Sequence, residues 1–206
     1  MAGYIYAPAP SSYVMEMRSR IKDDHLSSCV PAGKRGFEEQ EPTITLYWGI
    51  GTGISCVNYH KLYPALAEHV SGFLNGRKQP LMFIPGYFDV YETRNWDVLV
   101  LKALENHQST KVLKDLNESI QDSFDFQGST FPFEPHITVA YLSYHAKEYA
   151  FEFNRQIHRD TIKLDNVYLG IQGYDWKALL YTQSKDNEDG KEERKEQRTP
   201  WTHNRR

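Results

Sequence analysis

The chain has 206 residues, enough for one sizeable domain or two small lobes sharing a core. Its formal net charge of −3 argues against the broad basic surface that long nucleic acid requires, while leaving room for a small nucleotide in a local pocket. Two cysteines, Cys29 and Cys56, form no CxxC pair and are too few for a disulfide framework or a cysteine-rich zinc site, so the expected setting is reducing and intracellular.

In chain order, residues 3–7 read as a short strand. A helix follows, with Ser11 or Ser12 as its N-cap and Val14, Met17 and Ile21 on one face. The N-terminal stretch lacks the basic start and apolar run of a signal peptide, and no apolar segment approaches the ~20 residues that span a bilayer; the expectation is a soluble, cytoplasmic protein with no membrane partner. After a polar connection, "TITLYWGI" (43–50) is a strand, and "GTGIS" a turn or the flexible lip of a cleft. Leu62, Leu66, Val70 and Phe73 mark a helix that Pro64 would start near Leu62. Residues 80–92 read as a strand broken at Pro85-Gly86, and 96–103 as a strongly apolar strand. Val112, Leu113, Leu116 and Ile120 make an amphipathic helix entered by a Ser109/Thr110 cap. "HITVAYL" (136–142) is a strand, 144–157 a helix, and 161–172 and 176–183 two antiparallel strands joined by a Gly-Tyr-Asp turn. The domain therefore spans 1–183. Residues 184–206, dense in mixed charge, read as a disordered tail.

Two octets deserve alignment. "EPTITLYW" (41–48) and "EPHITVAY" (134–141) share Glu-Pro and Ile-Thr at matching places, with Thr43 standing where the second has His136. Each is preceded by a strand, a helix and a polar connection, at nearly the same spacing from Ile5 and from Leu99, so the chain reads as a duplicated strand–helix–strand unit of period 93. Strand alternation puts Thr43, Thr45 and Tyr47 on one face, and His136, Thr138 and Ala140 on one face. The polar faces would line a shared cleft.

These octets and their spacing resemble the 2H phosphoesterase superfamily, whose hallmark is two His-x-Thr/Ser motifs on paired strands, one per lobe. The resemblance covers residues 3 to about 182; the second motif, His136-Ile137-Thr138, fits closely, and the first, Thr43-Ile44-Thr45, fits in all but its histidine. It implies an α+β, bilobal, pseudo-two-fold fold with antiparallel-rich sheets around a central groove. It also implies a metal- and cofactor-independent phosphodiesterase acting on 2′,3′-cyclic nucleotides, 2′-5′-linked oligonucleotides or cyclic oligonucleotides. Some viral and phage members degrade nucleotide second messengers of host immunity, which would place the chain in a host cytosol. The implied catalytic positions are His136, Thr138, Thr45 and Thr43, the last a vacated histidine position. Tyr47 and Tyr6 are the aromatic candidates for ligand contact.

The chemistry explains the motif. Attack at phosphorus needs one group to take a proton and another to give one to the leaving oxygen, and two imidazoles near pKa ~6.5 can hold opposite protonation states. Threonine hydroxyls donate to the phosphate oxygens where charge grows. Thr43 cannot titrate near neutrality. Three readings follow: an enzyme in which Tyr47, or His60 if its loop folds back, supplies the second transfer; a protein that sequesters a nucleotide without cutting it; or an inactivated variant of an active enzyme. The other histidines, His25, His69, His107, His145, His158 and His203, show no metal-ligand spacing.

Overall fold

The structure, a computed structural model, describes residues 2–28, 41–51, 58–77, 80–126, 132–171 and 176–183. Its elements run β1 (Gly3–Pro8), α1 (Ser12–Ser19), β2 (Thr43–Ile50), α2 (Tyr59–Asn75), β3 (Met82–Phe83), β4 (Pro85–Glu92), β5 (Asp97–Ala103), α3 (Gln108–Ser123), β6 (His136–Leu142), α4 (Ala146–Asn154), β7 (Ile162–Lys163), β8 (Asn166–Ile171) and β9 (Lys177–Thr182). Seven strands form one antiparallel sheet in the order β4-β5-β6-β2-β1-β8-β9, and β3 with β7 form a two-stranded annex.

That order is the duplication made visible. A pseudo-two-fold axis between β6 and β2 exchanges β5 with β1 and β4 with β8. The registers repeat as well: Pro8 pairs with Thr43 as Lys102 pairs with His136, and Ile5 with Tyr47 as Leu99 with Ala140. The two halves meet at Ile44 and Ile137, both fully buried. The sequence places these strands facing each other across a groove; they are neighbours in one continuous sheet, joined at that pair.

The apolar side chains of the alternating strands explain the layering. Ile5, Ala7, Ile44, Leu46, Leu99, Leu101, Ile137 and Val139 enter one core, together with Val14 and Met17 from α1 and Leu113 and Leu116 from α3. α1 packs under β6 and α3 under β2, each helix supporting the central strand of the other repeat; α4 lies against β4 and β5, and α2 against β9.

Local chemistry sets several boundaries differently from the sequence reading. Ser11 caps α1, its hydroxyl accepting from the Val14 amide at 3.3 Å. α2 starts at Tyr59, three residues ahead of Leu62, because Asn58 caps it and accepts from Lys61 N; Pro64 is accommodated within the helix, exposed, rather than at its first turn. α3 is capped by His107, whose Nδ1 accepts from Ser109 N at 3.1 Å, and not by Ser109 or Thr110, which are buried. Residues 80–92 divide one residue before Pro85, sending Met82–Phe83 to pair with β7, so 161–172 is likewise two short strands rather than one. Gly86 is required there: a Cβ would stand 2.7 Å from the Ala103 carbonyl oxygen. The 172–175 turn, the 52–57 loop and the 184–206 tail lie outside the described residues.

Candidate active site

The site grows from an interruption in strand alternation that occurs twice. In β2, Tyr6 pairs with Thr45 and Ile5 with Tyr47, leaving Leu46 as the extra residue of a β-bulge. In β6, Val100 pairs with Thr138 and Leu99 with Ala140, leaving Val139 extra. The two bulges lie the same 93 residues apart as Thr43 and His136. Each bulge carbonyl is held from below by a buried side chain of the other repeat. Asn117 Nδ2 on α3 donates to Leu46 O at 2.6 Å, and Arg18 on α1 donates through Nε to Val139 O at 2.9 Å and through Nη2 to Thr138 O at 3.0 Å. Burial lowers the Arg18 guanidinium to about 10, which leaves it charged at neutral pH.

The bulges re-aim the side chains that follow them. Tyr47 shares the face of Thr43 and Thr45 in regular alternation; here it turns into the core, 3% exposed, beside Phe126, and its hydroxyl has no hydrogen-bond partner among the described residues. The next residue, Trp48, takes the site face. Likewise Ala140 turns inward and Tyr141 takes its place, with a side-chain hydrogen bond to Thr138 that partly offsets the upward push of burial on its phenol. His60 is exposed on α2, edge-on to Trp176, and not with the motif residues.

Around the Ile44–Ile137 contact, antiparallel pairing places Thr45 beside His136 and Thr43 beside Thr138. All four are half-buried. His136 Nδ1 lies 2.7 Å from the Glu134 carbonyl oxygen. A carbonyl only accepts, so Nδ1 carries the hydrogen and Nε2 is an acceptor with no hydrogen-bond partner among the described residues. Burial first, and the Lys102 charge second, hold the imidazole below its ordinary pKa, against the pull of the Glu134 bond. His136 is therefore neutral near pH 7, with a lone pair available to take a proton.

The two flanks of this square differ in chemistry. On the β1–β8 side, aromatic rings form a continuous floor: Trp48 stacks on Tyr4 at 5.5 Å, Tyr4 meets Tyr6 at 5.3 Å, and Tyr6 stacks on Tyr168 at 5.7 Å. Gly170 lies beneath, where a Cβ would come within 2.9 Å of Tyr4 and 3.1 Å of Tyr6. Burial, with neighbouring Tyr4, Tyr168 and Glu41, pushes the Tyr6 phenol up to about 12. On the β4–β5 side the groups are ionic. Lys102 Nζ lies 2.8 Å from both Asp89 and Glu134 carboxylates, and Tyr91 donates to Glu134 at 3.3 Å.

No family profile and no curated protein sequence matches the chain. Solved structures do. Usb1 of Kluyveromyces marxianus is 9% identical, with TM-score 0.51, over 87% of this chain and 97% of that one. The same protein with uridine monophosphate aligns at 8% identity and TM-score 0.50, over 87% and 97%. A crystal structure of a phosphoesterase aligns more loosely, at 15% identity and TM-score 0.44, over 87% and 94%. The chain has the 2H phosphoesterase fold. At such low identity the likeness is one of architecture.

Within the 2H fold, Thr43, Thr45, His136 and Thr138 come together, and Tyr6 lies beside Thr45. Sequence reasoning missed Trp48, Tyr141, Tyr4, Tyr168 and Lys102. The signal for the first two was present: Leu46-Tyr47 and Val139-Ala140 are consecutive apolar pairs that break the alternation. Lys102 carries no local signal, because its importance comes from which strand lies next to it.

Proposed function

We propose that this site binds a small nucleotide through its phosphate and that His136 is the proton-accepting residue of a 2H-type phosphodiesterase site. The observation that carries the reading is the convergence of His136, Thr45, Thr43 and Thr138 at the contact between the repeats, with Nε2 of a neutral imidazole left to accept. The aromatic floor supports a nucleotide as the ligand class, since base–aromatic stacking contributes about 1–3 kcal/mol per base and tolerates any base. The complex of Usb1 with uridine monophosphate, on the same fold, is in keeping with it.

In this reading Nε2 takes a proton from the attacking hydroxyl as the new phosphorus–oxygen bond forms. The hydroxyls of Thr45 and Thr138 donate to the non-bridging oxygens. The leaving oxygen takes its proton from water, because Thr43 has none to give at a suitable pKa. Losing a positioned proton-transfer group costs about 10²- to 10⁴-fold in rate. Cleavage is thus slow relative to a two-histidine site, and Thr43 favours a second reading in which the site holds its ligand rather than cutting it. A cyclic oligonucleotide messenger, and a viral or phage role in escaping host immunity, belong to the same proposal as one substrate class.

The test is incubation of the protein with 2′,3′-cyclic mononucleotides, 2′-5′-linked dinucleotides and cyclic di- and trinucleotides, with chromatography before and after heat denaturation. New products establish the phosphodiesterase. Ligand lost from solution and returned intact on heating establishes the holding protein. No depletion and no product with any nucleotide overturns both.

A further inference from the structure

His136 and the lysine paired with it across the strands occur together in one repeat, and the matching positions of the other hold neither. His136 pairs with Lys102; its counterpart Thr43 pairs with Pro8. Glu41, 93 residues before Glu134, is exposed and has no lysine across from it in the register. The flanking strands diverge in step, Asp89 and Tyr91 of β4 against Tyr168 and Gly170 of β8.

We propose that Lys102 is a positioning residue for His136, acting through Glu134 to keep the imidazole in the Nδ1–H form with Nε2 free. Lys102 has a side chain only 13% exposed. Its ammonium bonds the carboxylate of Glu134, while the backbone carbonyl of that same Glu134 accepts from His136 Nδ1. Anchoring the side chain therefore fixes the carbonyl that selects the tautomer. Asp89 takes a second ammonium hydrogen, and Tyr91 bonds the same Glu134 oxygen that Lys102 does. The Tyr91 ring stands edge-on to the imidazole at 5.2 Å and lies under the Lys102 ammonium at 5.1 Å, closing a ring of contacts from the cation back to the histidine. The groups around His136 are thus Lys102 from β5, Tyr91 from β4, and Glu134, with Asp89 of β4 reaching it only through Lys102 and Lys114 of α3 adding a weaker positive field on Glu134; β2 contributes the hydroxyls of Thr43 and Thr45. Burial opposes the charge on Lys102, but its bonds to Asp89 and Glu134 outweigh burial and raise its pKa, so it stays charged throughout the range in which His136 titrates. The functional meaning of this arrangement rests on His136 being the proton acceptor. The tautomer itself does not, and it can be read without turnover.

The measurement is the imidazole ¹⁵N spectrum of the full-length protein between pH 5 and 8, with His136→Asn to assign the signal. In the natural protein His136 should show the Nδ1–H form. In Lys102→Met the titration midpoint should rise by about half a pH unit or more, as a nearby positive charge is lost, and the Nδ1–H form should give way to a mixture. Lys102→Arg, which keeps charge and reach, should restore both. A folded Lys102→Met protein with unchanged midpoint and tautomer overturns the proposal. Should that variant fail to fold, Glu134→Leu, which removes the acceptor for Lys102 and Tyr91, breaks the same link while leaving Lys102 with Asp89, and an unchanged tautomer there overturns it equally. A protein that passes this test but neither binds nor cuts any nucleotide refutes the phosphodiesterase reading and leaves the positioning intact.

Discussion

An imidazole at position 43 would stand beside Thr138, across the Ile44–Ile137 contact from His136. Thr43→His should therefore rebuild an acid–base pair, and hydrolysis of a 2′,3′-cyclic nucleotide should rise by about 10²- to 10⁴-fold, with a bell-shaped pH dependence. A folded Thr43→His protein that binds nucleotides with no rise in rate would mean that the site holds its ligand. His136 itself makes a second prediction. Its folded-state pKa is depressed, by burial first and then by Lys102, so the unfolded chain binds that proton more readily than the folded one. The stability it contributes is full above the ordinary imidazole value of about 6.5, and it is lost as pH falls from there through the lower folded value. His136→Gln removes that loss. Melting temperatures of the two proteins should diverge in favour of the variant between pH 8 and pH 5; a constant difference would contradict the depressed pKa. Residue identity at 43, 45, 136 and 138 was legible in the sequence, because the octets align. The tautomer of His136 was not, because it depends on a carbonyl whose own orientation depends on Lys102.

At the scale of elements, the paired bulges do most to shape the site. Without them Tyr47 would join the polar face and Trp48 the core; with them the reverse holds. A bulge leaves a carbonyl out of the ladder, and a buried carbonyl without a partner costs about 1–3 kcal/mol. Asn117 and Arg18 supply the partners, each reaching across to the other repeat. Asn117→Leu, close in volume but without the donor, should cost about 1–3 kcal/mol, and each kcal/mol lowers Tm by about 2–4 °C in a chain of this size. Thermal unfolding checks this, and an unchanged Tm would show that the Leu46 carbonyl needs no side-chain partner. The elements themselves were largely readable. Helix faces followed from Val14 and Met17, from Leu66 and Val70, and from Val112, Leu113, Leu116 and Ile120, all of which are buried. Caps were less so: His107 and Asn58 start helices where the nearest serine or proline had suggested other boundaries.

For the whole molecule, the 93-residue period marks the architecture as a duplication. Two copies of a strand–helix–strand unit with matching apolar faces can bury both only by packing together, and the aligned octets mark which strands sit near the axis. The duplication is written in periodicity and spacing, which a linear sequence carries. What it cannot carry is the divergence between the halves. One flank became aromatic, through Tyr4, Tyr6, Trp48 and Tyr168; the other became ionic, through Asp89, Tyr91, Lys102 and Glu134. These sets join segments far apart in the chain, β1 with β8 and the β4–β5 hairpin with the entry to β6, and each side chain joins its set through strand order and register. Local sequence determines which face of a strand is apolar, because that follows from alternation. Which strand lies beside it, and where a bulge reverses the alternation, is decided by long-range hydrogen bonding, and only the folded structure expresses it.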